Sequence, residues 1–225
     1  MSERSVINHE SDPLSDLALR YLEALLHGRR NDASRLILSA AETGTSVRSI
    51  YMDVFQPVQR EIGRLWQTNE VSVAQEHFCT AVTQFTMGLL FHFFRSAAPN
   101  GRRAVVTCVG GELHEVGARM VADLLEMEGW DSYFLGANMP SPGILSAVAD
   151  READMLAVSV TIHYNVEAAQ RLIGEVRRSP DAAGLKIMVG GRPFLIAPGL
   201  WSTIGADASA PDAEEAATTA ARLIS

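Results

Sequence analysis

The 225 residues carry 19 Lys and Arg against 27 Asp and Glu, a formal net charge of -8, with 47% of positions apolar. This composition suits one or two compact units and excludes direct nucleic-acid binding by the chain, because phosphate contacts need clustered Lys and Arg. It offers no apolar run of membrane-spanning length, Met87–Phe94 being far too short, and the polar start has no signal-peptide core. Only Cys79 and Cys108 are present, far apart, which argues against a disulfide framework or a Cys-based zinc site and points to a reducing cytoplasm. Histidines stand at His9, His27, His77, His92, His114 and His163.

Residues 1–13 read as a flexible lead-in. From Leu14 to Phe94 the apolar period is helical. Leu14, Leu17, Tyr21, Leu22 and Leu25 share a face of a first helix ending near Gly28. Asp32 is expected to cap a second, Ala33 to Glu42, stopped by Gly44. Ile50, Val54, Val58, Ile62 and Leu65 mark a third, which Pro57 is expected to kink and in which Gly63 permits close helix approach. Ser72 with Gln75 forms a capping box for a fourth, running to about Phe94. Four amphipathic helices with short connections predict a helical bundle over residues 14–96.

Beyond the linker at residues 96–101, strands and helices alternate over residues 97–225. Strands are expected at Ala104–Val109, Asp131–Leu135, Met155–Val160, Lys186–Val189 and Ala206–Ala208. Helices are expected at Val116–Glu128, Pro142–Ala149, Asn165–Arg177 and Asp212–Ile224. The fold class is therefore α/β: a four-helix bundle cap followed by a doubly wound, Rossmann-like (flavodoxin-like) parallel sheet.

Such sheets bind ligands at the carboxyl ends of their strands. The first of these loops reads Gly110-Gly111-Glu112-Leu113-His114-Glu115-Val116-Gly117, which is neither a dinucleotide fingerprint nor a zinc-protease HExxH. It presents His114 as a transition-metal ligand, with Glu112 placed to fix its tautomer, and Gly117 lets the backbone approach a bound group. Ser159 and Thr161 supply hydroxyls at the third strand end. Gly190 and Gly191 open room at the fourth. A lone rim histidine is more often an ordinary hydrogen-bonding residue, but these three strand ends reinforce one another.

The pattern ExHxxG, SxT in place of the usual SxL, and GG resembles the cobalamin-binding domain of methionine synthase, corrinoid methyl carriers and B12-dependent photoreceptors. The resemblance implies base-off, His-on binding, with His114 as lower axial cobalt ligand. It also implies that the nucleotide tail lies beside Ser159, Thr161, Gly190 and Gly191. In the helical part, Trp66, Val73, Glu76 and His77 follow a W-x9-EH spacing similar to the cap of adenosylcobalamin photoreceptors that regulate transcription. Without the ExHxxG loop these residues read as bundle core and a solvated helix start. The resemblance implies that they shelter the adenosyl group in the dark, and that photolysis changes cap conformation and homo-oligomeric state. The known photoreceptor pattern has a histidine where Gln67 stands here. The thirteen residues ahead of the cap are too few for a winged helix, so the expectation is of a stand-alone module whose output partner is a protein, either a transcription regulator or an enzyme. A bilin such as biliverdin is a further cofactor candidate near Phe91-His92-Phe93-Phe94 and His163-Tyr164, although Phe91, Phe93 and Phe94 also suit core or interface. The expectation is of a light-sensing, non-enzymatic regulator. The rivals are a corrinoid methyl carrier of a methyltransferase system and a cobalamin store or chaperone.

Overall fold

The computed structural model describes residues 13–224; residues 1–12 of the expected lead-in, His9 among them, lie outside the described residues, and Pro13 opens the first helix. The chain forms two compact units, one up to Phe94 and one from Arg95.

The first unit is all-helical among its described residues. Its helices are α1 (Pro13–Leu26), α2 (Arg30–Glu42), α3 (Val47–Ser49), α4 (Gln56–Gln67) and α5 (Val73–Leu90). A π-helical segment, Ile50–Phe55, joins α3 to α4, so the expected third helix is one run with a widened turn. Pro57 lies in the first turn of α4. Its ring lacks an N–H and crowds the carbonyl four residues earlier, and the π segment is where the helix absorbs this. Tyr21, Ile37, Ile50, Tyr51, Phe55 and Ile62 fill the bundle core with at most 1% exposure.

Two local expectations for this unit fail. Helix α2 begins at Arg30, so Asp32 lies inside the first turn, where its charge favours the helix dipole, rather than at the cap. A Cβ on Gly63 would meet no atom within 4 Å, so no close helix contact requires that glycine. The Ser72–Gln75 capping box does open α5.

The second unit is a five-stranded parallel sheet made of β1 (Arg103–Cys108), β2 (Asp131–Gly136), β3 (Met155–Ser159), β4 (Lys186–Gly190) and β5 (Ala208–Ala210). The spatial order is β2-β1-β3-β4-β5. Helices α6 (Val116–Met127), α7 (Ser141–Asp150), α8 (Val166–Arg178), α9 (Arg192–Ile196), α10 (Leu200–Thr203) and α11 (Ala213–Leu223) complete it. Helices α6 and α11 pack together on one face of the sheet. On the other, Ile144 and Val148 of α7 and Leu172, Ile173 and Val176 of α8 bury Val105, Leu156, Val158, Ile187 and Val189. The alternate strand residues Ala104, Val106, Met155, Ala157 and Met188 are equally buried, as a sheet covered on both faces requires.

The last strand lies two residues beyond its expected start, because Asp207 is held by Arg177 and by the amide of Ile187 before pairing begins. The short α9 and α10 were not foreseen. Among the described residues no helix is long and apolar enough to cross a membrane.

Candidate functional site

The strand order reverses between β1 and β3, and a ligand crevice forms where the loops leaving these two strands diverge. Both loops converge on one side chain. Glu112 is fully buried. One carboxylate oxygen accepts from His114 Nδ1 at 2.5 Å and from the His114 amide at 3.1 Å. The other accepts from the amides of Thr161 at 2.8 Å and Ile162 at 2.9 Å and from Asn165 Nδ2 at 3.0 Å. The carboxylate therefore pins the β1–α6 loop to the β3–α8 loop across the switch point. Burial alone would raise its pKa, but the hydrogen bonds from His114, Ile162 and Asn165 outweigh this and hold it at about 2, well below the ordinary carboxylate range.

The same contact sets the imidazole. With its Nδ1–H donated to a carboxylate, the ring carries its lone pair on Nε2, the nitrogen that would ligate a metal, and the carboxylate raises its basicity. His114 keeps 42% side-chain exposure at the rim, while its partner keeps none. Behind it lies the buried Cys108, whose Sγ donates to the His114 carbonyl at 3.6 Å. Burial first, then the charges of Glu112 and Glu115, pushes that thiol up to about 12, so it stays protonated and inert.

The β2–α7 loop also braces this site: Asn138 Oδ1 accepts from the Gly111 amide at 2.8 Å and the Asn138 amide donates to the Glu112 carbonyl at 2.9 Å. Asn138 holds φ 52 and Gly111 φ 85, both left-handed. Neither Asn138 nor Asn165 was singled out from the sequence as a site residue. The visible signal was an Asn immediately before α8 at a strand-end loop, but the partner it binds is 53 residues away.

The other expected residues distribute as follows. Ser159 ends β3, in register with Cys108 of β1 and Gly190 of β4, and Thr161 follows, half-buried. Gly117 sits in the first turn of α6, and a Cβ there would enter open space, so the protein itself makes no demand for glycine. Gly191 is different. Its φ is 111 and a Cβ would fall 1.9 Å from the Val160 carbonyl oxygen. The chain's own backbone requires that glycine, a demand the sequence does not show.

In the helical unit, Trp66 is half-buried in the last turn of α4, and Gln67, which ends that helix, is exposed. Val73 and His77 are exposed on α5, at 52% for Val73. Glu76 is paired with His77 Nδ1 at 2.7 Å and accepts from Thr80 at 2.9 Å. Gln59 Oε1 shares the single Thr80 proton at 3.2 Å, Gln59 donates to Thr83 at 2.7 Å, and Thr83 meets the Tyr21 hydroxyl at 3.0 Å. A polar chain thus runs from the bundle core to the Glu76–His77 pair. Arg64 fixes the connection between Trp66 and Val73, binding buried Glu61 through two nitrogens and Glu70 through a third. The aromatic segment after α5 is not core: Phe91 is 57% exposed and stacks obliquely on Phe94.

The rim suits a large, largely apolar group. Exposed Leu113, Ile162 and Tyr164 follow β1 and β3, and exposed Leu195 and Ile196 lie in α9 after β4, at the ligand end of the sheet. Among the described residues no three His, Cys, Asp or Glu side chains gather to hold a bare ion.

Known proteins share parts of this chain's sequence and fold. A dimethylamine corrinoid protein of Methanosarcina barkeri is 26% identical over 168 residues, covering 69% of this chain and 78% of its own. The HTH-type transcriptional repressor CarA of Myxococcus xanthus is 26% identical over 155 residues, covering 69% of this chain and 51% of its own. Against dimethylamine corrinoid protein 3 of Methanosarcina acetivorans the identity is 27%, and the chain spans 54% of that relative's length. Among solved structures, the monomethylamine corrinoid protein of Methanosarcina barkeri superposes with TM-score 0.82 at 19% identity, over 92% of this chain and 98% of that one, and so shares the fold. These relatives are named as corrinoid proteins and a repressor. A family model for a B12 binding domain matches residues 102–221 and a second so described matches 17–90: the chain belongs to the B12-binding domain family.

Proposed function

We propose that this chain is a corrinoid carrier protein, holding cobalamin through His114 and presenting it to a methyltransferase partner. The observation that carries the binding half is the Glu112–His114 pair at the β1–β3 switch point, with a fully buried carboxylate orienting a half-exposed imidazole. Support for the carrier half comes from the dimethylamine corrinoid proteins among the relatives, which favour it over the light-sensing role expected from the cap residues.

In this reading, His114 would hold the cobalt through Nε2, while Glu112 holds the ring by Nδ1. The bound cobalamin supplies a cobalt centre able to accept and release a methyl group. Glu112 also fixes the β3–α8 loop, so the hydroxyls of Ser159 and Thr161 keep their places beside the strand ends. Gly190 and Gly191 leave the β4 end without side chains, where a nucleotide tail would lie. Leu113, Ile162 and Tyr164 would cover the corrin edge and exclude water.

A second reading, dark binding of adenosylcobalamin and a response to light, is favoured by one local feature. Glu76 is held by both His77 and Thr80 and offers an oriented acceptor for ribose or adenine, with Trp66 as an aromatic neighbour in sequence. The 26% identity to the repressor CarA also supports it. A bilin has no comparable support.

Reconstitution in darkness with methylcobalamin and adenosylcobalamin separates the two. The carrier reading expects methylcobalamin to bind at least as tightly and the elution volume to be the same before and after illumination. Strong preference for adenosylcobalamin, with a light-dependent elution shift, would replace it by the sensor reading.

A further inference from the structure

Helix α5 carries a stripe that the cofactor reading does not use. Ala74, Phe78, Ala81, Phe85 and Gly88 are all exposed, at alternating spacings of four and three residues, and His92 continues the series in the following turn. At 100° per residue these positions stay within one narrow face, the seam of a coiled coil. Phe78 is 36% and Phe85 44% exposed. A Cβ on Gly88 would meet nothing within 4 Å. From Val73 to Phe94 the only formally charged residue is Glu76, which lies on a different face. An exposed helix face with large rings and no charge is unusual for a surface that meets only water. Arg30 lies over the Phe85 ring at 4.1 Å and borders the stripe, covering part of that ring.

The stripe is complementary to itself. Small residues recur at 74, 81 and 88, and large ones at 78, 85 and 92. In an antiparallel copy whose two-fold axis passes at the level of Thr83, Phe78 meets Gly88, Phe85 meets Ala81 and His92 meets Ala74. Every large side chain then faces a small one. A parallel copy in register would set ring on ring and leave gaps between the small residues. The antiparallel arrangement also aligns the helix dipoles favourably.

We propose that two copies of this chain pair through α5 in this antiparallel, isologous register. The seam is about 27 Å long at 1.5 Å per residue and about 10 Å wide, roughly 540 Å² over both copies, which is below the roughly 1,200 Å² of stable specific interfaces and fits a weak, transient pairing. The dimer is therefore concentration-dependent. It involves the helical unit alone and does not rest on the cofactor assignment.

The test is sedimentation velocity on the full chain without cofactor, at roughly 1–500 μM, the range in which a weak, transient interface is sought. The wild type should pass from monomer to dimer within that range. Phe85→Glu and Gly88→Leu should stay monomeric; the leucine fits the free monomer, where the site is open, but collides with Phe78 of the second copy. Gly88→Leu decides the matter if Phe85→Glu fails to fold, and circular dichroism checks both. Oxidising a mixture of Ala81→Cys and Phe85→Cys chains should give the heterodimer in preference to either homodimer, native Cys79 and Cys108 being buried. A wild type monomeric throughout, a Gly88→Leu dimer of wild-type strength, or crosslinking without that preference would overturn the proposal. Protection of Phe85 only on addition of a methyltransferase would assign the seam to that partner and equally overturn it.

Discussion

Replacing Glu112 by Gln isolates the clamp at the switch point. The carboxylate accepts from the amides of Thr161 and Ile162 and from Asn165 through one oxygen. Gln keeps the size but cannot accept through both ends: whichever way the amide is turned, an NH2 group faces N–H donors. Hydrogen bonds to charged groups contribute about 1.5–3 kcal/mol each, and losing both the charge and one acceptor leaves buried donors unmatched. An opening energy lowered by that amount corresponds to amide exchange about 10- to 100-fold faster, since about 1.4 kcal/mol is tenfold. Hydrogen exchange followed by NMR at Thr161 and Ile162 is the assay, with core amides of β3 such as Ala157 as the internal standard. The clamp account expects the two loop amides to accelerate far more than Ala157. Equal rates in wild type and variant at both positions would refute it.

Four further outcomes follow from the same structure. Gly191→Ala should destabilise the α/β unit by more than about 3 kcal/mol in urea denaturation, because a Cβ at 1.9 Å from the Val160 carbonyl cannot be accommodated and φ 111 is unfavourable for Ala. Gly63→Ala should instead raise stability by about 0.5–1 kcal/mol, since the site lies within α4 and is open. Glu112 titrates near 2 when folded against an ordinary value of 4.5, so its contribution to stability is present above about pH 4.5 and lost as pH falls toward 2. The wild type should therefore lose stability over that window more steeply than Glu112→Gln, by about 3 kcal/mol in all. Asn165→Ala should loosen the Glu112 carboxylate and slow cobalamin uptake without unfolding the sheet, read by absorbance on mixing with excess cofactor.

The alternation of buried runs and helical periods made the sheet legible, because a parallel strand covered on both faces must be apolar nearly throughout, as Val105 to Cys108 are. The Glu112–His114 contact was legible for a local reason: a single residue, Leu113, separates them, and the loop after β1 can close only so far. What was not legible depended on distance in sequence or on backbone detail. Asn165 and the amides of Thr161 and Ile162 meet Glu112 only after β1 and β3 pair. The π turn before Pro57 is a compromise between a helix that continues and a ring that forbids regular bonding. Gly191 looked like space for a ligand because sequence cannot show that the Val160 carbonyl already occupies the position of its missing Cβ. The α5 stripe was hidden because its Phe and Ala residues read equally well as bundle core.

The central claim is that His114 ligates cobalt from below. Electron paramagnetic resonance of the Co(II) form, reconstituted with chain labelled with 15N at the histidine rings, tests it directly. An axial 14N splits each cobalt line into three and an axial 15N into two. The account predicts triplets for the unlabelled chain, doublets for the labelled chain, and loss of the histidine pattern in His114→Ala. Triplets that persist in the labelled wild type would show the cofactor's own base on the cobalt and contradict it.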